Sequence, residues 1–168
     1  MNTPINEKFN TGMAALVSQN YGVCIENLTE VLKEDQTHKL ALVSRGAAFM
    51  HTGEITTAVA DFDRAITIDP GYARAYHLRG LAREAQNDDE GALADFSKAI
   101  ELKPDYAAAY YSRATLYTKQ GLMDLADEDS RMATHLSESN IQTFANENNI
   151  WRSDHMAVED MMESELNR

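Results

Sequence analysis

The chain has 168 residues, 43% hydrophobic and 25% charged, room for one compact domain or four short repeats and ordinary for a soluble globular protein. A net charge of −12 argues against nucleic acid or an anionic membrane as main partner, because both need a basic footprint. No apolar run approaches the roughly 18–20 residues of a membrane span, "MNTPINEKFN" lacks a signal-peptide pattern, and the lone Cys24 has no disulfide partner, so a cytoplasmic location is expected.

In chain order, Thr3-Pro4 predicts a helix start, a capping hydroxyl before a proline at the first helical position. Two stretches then stand in register without a gap at a period of 34 residues. Gly46 falls on Gly80, Ala58 on Ala92, Phe62 on Phe96, Ala65 on Ala99 and Pro70 on Pro104. "ADFDRAITIDP" (60–70) is answered by "ADFSKAIELKP" (94–104). Self-similarity at this period marks a solenoid of small supersecondary units. The small residues let two helix axes approach where they cross. Phe62 and Phe96 fill the space between, and Pro70 and Pro104 end the second helix, lacking an N–H and clashing with the preceding turn.

This pattern resembles the tetratricopeptide repeat (TPR) family: a small residue at repeat position 8, alanine at 20, an aromatic at 24, alanine at 27 and proline at 32. The resemblance implies an all-α, right-handed α-solenoid of about four helix-turn-helix repeats, at 5–38, 39–72, 73–106 and 107–140. The terminal repeats are degenerate, as end units of a stack are. In the first, Gly12, Cys24, Leu28 and Val31 take the key positions, Lys8 is out of pattern, and Gln36 stands where proline would. Cys24 reads as a small core residue, since nothing nearby in sequence would activate a thiol. In the fourth, Ala114, Ala126 and Ala133 are small, Tyr110 and Tyr117 bulky, Gly121 makes the turn, and Ser130 and Glu138 replace phenylalanine and proline.

Residues 141–168 leave the period. Asn140 is a candidate cap for a short helix from Ile141, and Ser153-Asp154 starts another with His155, Val158, Met162 and Leu166 at helical spacing. Two readings stand for this extension: a helix capping the open end of the array, or a mobile or swapped arm that docks Trp151, Met156, Met161 and Met162 in a groove. Methionine and tryptophan both suit adaptable apolar contacts.

Arginine recurs at position 7 (Arg45, Arg79, Arg113) and aspartate at position 23 (Asp61, Asp95, Asp129), while the first repeat changes both together, to Thr11 and Asn27. Joint presence and joint absence predict helix-to-helix ion pairs, because a partly buried charge without its partner is costly; the alternative is a basic ladder gripping an acidic peptide. The five histidines show no metal-ligand spacing, no glycine-rich phosphate loop is present and no carboxylate pair stands out as acid and base. No enzyme, no cofactor and no metal site is therefore expected.

The resemblance implies that positions 2, 5, 9 and 12 of each first helix line a concave face. On this chain the binding candidates are Phe9, Met13, Leu16, Leu40, Val43 and Met50 in the apolar N-terminal half, then Arg74, His77, Leu81 and Tyr111 in the mixed C-terminal half. A contiguous apolar patch of this kind implies a protein or peptide partner, unless a tail or a second copy already covers it. TPR co-chaperones that hold a C-terminal carboxylate use Lys and Asn in the first repeat, Asn in the second, and Lys and Arg in the third. Those slots hold Phe9, Met13, Ser44, Arg74 and Leu78, or one repeat later Val43, Ala47, Leu78, Ala108 and Ser112, so the carboxylate clamp is absent. The expectation is a protein-interaction module (adaptor or scaffold) for an apolar or basic peptide or helix. The alternatives are a small chaperone for an aggregation-prone client and a scaffold that homo-oligomerises through groove and tail.

Overall fold

The structure, a computed structural model, describes residues 3–147. Among them the chain forms α1 (Thr3–Val17), α2 (Tyr21–Glu34), α3 (Lys39–His51), α4 (Ile55–Ile68), α5 (Ala73–Ala85), α6 (Asp89–Leu102), α7 (Ala107–Lys119) and α8 (Met123–Glu147), and no strand. Each odd-numbered helix packs on the even one that follows, and each even one on the first helix of the next pair. The result is an all-α solenoid.

Two short turns repeat through the array. Between the helices of a pair, the chain must pass through the left-handed region at one residue, and it does so at the same repeat position each time: Gln19 (φ 59°), Gly53 (85°), Asn87 (63°) and Gly121 (75°). Glycine takes this conformation at no steric cost and asparagine tolerates it; Gln19 does not have that freedom.

Between repeats, two neighbouring positions stop the helix. Pro70 and Pro104 push the residue before them out of the α region, and Asp69 and Lys103 are extended, closing α4 and α6. Repeat 1 has no proline, yet α2 stops at Glu34, because the Asp35 carboxylate accepts from Thr37 N at 2.9 Å and builds the turn itself. Asp69 does the same for Gly71 N at 3.0 Å. Repeat 4 has neither device. Ser137 bonds back to Ala133 O at 2.8 Å as a helical residue, Glu138 is compatible with helix, and α8 runs on to Glu147. The expected helix start at Asn140 is thus corrected, since that residue lies inside α8. The tail candidates Trp151, Met156, Met161 and Met162 lie outside the described residues.

Within each pair, the ring at position 24 seats against the small residue at position 8. A Cβ added to Gly46 would stand 2.6 Å from Phe62 Cε1, and one on Gly80 would stand 2.5 Å from Phe96 Cε1. Both phenylalanines are fully buried. In repeat 1 the partner of Gly12 is Leu28, at 2.9 Å. In repeat 4 a serine occupies position 24, and Ala114 supplies the Cβ that the middle repeats exclude. One core cluster spans the first three repeats from Ala15 to Ala82 and contains Cys24, whose thiol burial pushes upward in pKa. A smaller cluster joins Ala92, Phe96 and Leu116.

Candidate interaction groove

Three arginines brace the array from inside. Arg45 donates through Nε and Nη2 to both Asp61 carboxylate oxygens at 2.8 and 2.7 Å. Arg79 holds Asp95 at 2.9 and 2.7 Å, and Arg113 holds Asp129 at 2.7 and 2.9 Å. The aspartates are 3–5% exposed, so each carboxylate exchanges water for a two-pronged guanidinium. Removing Arg45 or Arg113 would take the cation away from a buried carboxylate, whereas Asp95 also accepts from Arg83 Nη1 at 3.0 Å. The side chains in the equivalent places of repeat 1 do not meet: Thr11 Oγ1 donates to Glu7 O and Asn27 Nδ2 to Val23 O, each on its own helix.

The free Nη1 of each arginine reaches one repeat back. It donates to Thr29 Oγ1 at 3.0 Å from Arg45, to Asp63 Oδ1 at 2.7 Å from Arg79 and to Ser97 Oγ at 3.1 Å from Arg113. Each arginine therefore ties its own second helix to the second helix of the repeat before it, and also lies over an aromatic ring: Phe49, Tyr76 or Tyr110. The Asp95 hydrogen bonds hold the Arg79 guanidinium well above its ordinary pKa, and Asp129 raises Arg113 likewise. Positions 29, 63 and 97 share only oxygen acceptors, which sequence reasoning passed over. These arginines are occupied internally and offer little of a basic ladder to an external peptide.

The groove candidates divide by depth. Phe9, Leu16, Leu40 and Met50 are half-buried and lean on the core, Met13 and Leu81 are half-buried, and Arg74 is exposed. Two positions require correction as contact residues. Val43 is 0% exposed and belongs to the core, so no partner reaches it without a rearrangement. His77 is 8% exposed and engaged on both ring nitrogens, Nε2 with Ser112 Oγ at 2.9 Å and Nδ1 with Tyr106 Oη at 3.2 Å. Burial, with help from the Arg74 charge, lowers its pKa to about 4, so it sits neutral in the wall.

An aromatic cover contributes to this burial. The last residue of a repeat falls in the turn after its second helix, and there it packs on position 5 of its own first helix. His38 lies 4.8 Å from Phe9, centroid to centroid, and Tyr106 lies 5.1 Å from His77. In repeat 4 that turn does not form, because α8 continues. Tyr111, at the same position 5, is left 68% exposed. Beside it a cleft of about 870 Å³ opens between α7 and α8, lined by residues that include His77, Ala108, Ser130, Ala133, Thr134 and Glu138. Among the described residues no group of three or more His, Cys, Asp or Glu is placed to hold a metal, and no helix is long and apolar enough to cross a membrane.

Stacked helix pairs and a repeated small-residue-to-ring contact define a helical-repeat protein with a cleft beside Tyr111. The comparisons name the repeat. The family described as TPR repeat matches residues 46–87 and 84–121. The crystal structure of MamA superposes with a TM-score of 0.73 at 25% identity, over 82% of this chain and 81% of that one. Among curated proteins, the chain is 35% identical over 79 residues to small glutamine-rich tetratricopeptide repeat-containing protein 2 of Saccharomyces cerevisiae, covering 47% of this chain and 23% of that protein. It is 31% identical over 90 residues to the heat-shock protein cognate co-chaperone sgt12 of Aspergillus fumigatus, covering 53% and 26%. The chain thus spans about a quarter of the length of these two relatives. Residues 46–121, a little under half of the chain, match the tetratricopeptide repeat.

Proposed function

We propose that the chain is a protein–protein interaction module whose concave face takes an apolar or basic peptide or helix from a partner. The observation that carries this reading is the open C-terminal end of the groove, where Tyr111 stands 68% exposed beside a cleft with mostly small, uncharged walls. Exposed aromatic surface next to a preformed cleft is what a partner's apolar side chain needs, because burying it there removes both surfaces from water. Similarity to TPR proteins, one of them named a co-chaperone, supports a peptide-binding adaptor. The net charge of −12 favours basic over acidic partners in approach and orientation.

The partner chemistry departs from that of carboxylate-clamp co-chaperones. Where a clamp would set lysine and asparagine, this chain sets half-buried Phe9 and Met13 and the buried Ser44. A basic amphipathic peptide and an acidic peptide ending in a free carboxylate, titrated against the full chain by calorimetry, separate the two chemistries. The basic peptide is expected to bind with Tyr111→Ala weakening it by roughly tenfold, about 1.4 kcal/mol. Tighter binding of the acidic peptide would overturn the proposal. A second reading, a chaperone for an aggregation-prone client, is favoured by the co-chaperone relative; suppression of aggregation across several unrelated clients would support it over a dedicated adaptor.

A further inference from the structure

A second opening lies in the first two repeats and shares no residue with the cleft beside Tyr111. It is a pocket of about 470 Å³ whose polar lining is Thr29 and Lys33 from α2, Gln36 from the turn that follows, Arg45 from α3 and Arg64 from α4. Three of these side chains are cations and none is a carboxylate. Arg45 is fixed against Asp61, and its Nη1 donates to Thr29 Oγ1 at 3.0 Å. That nitrogen carries a second hydrogen, and the Thr29 hydroxyl, having accepted, keeps its own to donate. Arg64 Nη2 donates to the backbone carbonyl of Gln36 at 3.2 Å rather than to a carboxylate.

The corresponding residues one and two repeats on are different. Asp63 stands in place of Thr29 and takes the Nη1 of Arg79 at 2.7 Å. In the next repeat Glu101 stands in place of Lys33 and Met132 in place of Arg64. Each later junction has an acid of its own at these positions, and the first has cations and a hydroxyl.

We infer that this pocket binds a phosphate group, free or carried by a small organic molecule, whose oxygens take the part that Asp63 plays one repeat later. A phosphate dianion carries only acceptors. The walls offer mainly donors: one guanidinium held in place, two exposed and flexible cations, a hydroxyl and the Gln36 amide. The volume lies within the roughly 300–1,000 Å³ of small-ligand sites and leaves room for the group a phosphate is attached to. Acids stand nearby. Glu30 is bonded to Lys33 and Lys8, Asp35 to Thr37, Asp61 to Arg45 and Asp63 to Arg79, while Glu34 is exposed and outside the lining. These acids offset the cations at a distance, so affinity rests on direct contacts with the lining. The net charge of −12 opposes an anion only weakly, because salt screens exposed charges beyond about 8 Å under physiological conditions.

NMR of the isotope-labelled full chain, titrated with sodium phosphate against sodium chloride at matched ionic strength, tests the site. Saturating shifts are expected at the amides of Thr29, Lys33, Gln36, Arg45 and Arg64 with phosphate, and none with chloride. Glycerol phosphate separates the two sources: tighter binding than inorganic phosphate assigns the site to an ester, equal or weaker binding to the free anion. Thr29→Asp, which copies Asp63 and gives Arg45 Nη1 an acid of its own, is expected to weaken phosphate by roughly tenfold or more. Arg64→Gln is expected to weaken it by roughly threefold to tenfold. Arg131→Gln, which removes an exposed cation from α8, is expected to leave the affinity unchanged, as is Tyr111→Ala in the separate cleft. The same spectra show that each variant is folded. Shifts that never saturate, saturating shifts centred elsewhere, or equal weakening by Arg131→Gln and Thr29→Asp would overturn the inference.

Discussion

Repeats 2 and 3 and repeat 4 share the arginine–aspartate brace and differ in everything that closes the space around it. Phe62 and Phe96 are fully buried against glycines, whereas Ser130 is exposed and repeat 4 has Ala114 at the glycine's position. Asp69-Pro70 and Lys103-Pro104 end their helices, whereas Ser137-Glu138 let α8 run on. The difference teaches that two separable devices build this repeat. The ion pair sets how second helices follow one another, and the ring and the helix stop decide whether the concave side is filled or open. An open cleft beside the exposed Tyr111 appears where the second device is missing and the first is kept.

The sharpest way to break the comparison is to empty the middle. Phe96→Ala is expected to cost about 3–5 kcal/mol of unfolding free energy in urea, the range for a buried ring, while Ser130→Ala is expected to stay within about 0.5 kcal/mol as a surface change.

Acid comes next. The unfolded His77 protonates near its ordinary 6.5 and the folded one only near 4, so the unfolded state binds the extra proton between these values. Its contribution is complete above pH 6.5 and is lost as pH falls toward 4, by at most about 3 kcal/mol. A His77→Gln variant, followed by thermal melts across that window, is expected to show a shallower acid slope than the unsubstituted chain.

The brace itself is expected to couple by about 1–3 kcal/mol in a double-mutant cycle of Arg79→Ala and Asp95→Ala, and by a similar amount for Arg113 and Asp129. Strictly additive losses at either site would remove the brace from this account. The smallest effect is a gain: Gln19→Gly relieves the left-handed residue at φ 59° and is expected to stabilise by up to about 1 kcal/mol, against no gain from the same change at an ordinary helical position.

Much of this architecture is legible in residue spacing. The register of Gly46 with Gly80 and of Phe62 with Phe96 contains the helix pairing, because close approach leaves a fixed pattern of small and large residues. The course of the second helix in repeat 4 is less legible. Asn140 looks like a cap in isolation, and only the contrast of Asp35 with Ser137 explains why one helix stops without proline and the other does not. The groove is the least legible part. Position 5 is a surface position in a single helix, but His38 and Tyr106, arriving from the next turn, cover it in two repeats. Val43 and His77 are buried by tertiary contacts that helical periodicity does not encode, and Tyr111 stays open because one turn is missing.

Hydrogen exchange of the full chain, read helix by helix by mass spectrometry, tests the division between closed middle and open end most directly. Amides of α3 to α6 are expected to exchange slowest and together, only through global unfolding, with α7 and α8 opening at lower free energy. Equal protection of α8 and α6 would contradict the account, because it would mean that a serine and a continuing helix close the fourth repeat as firmly as a phenylalanine and a proline close the third.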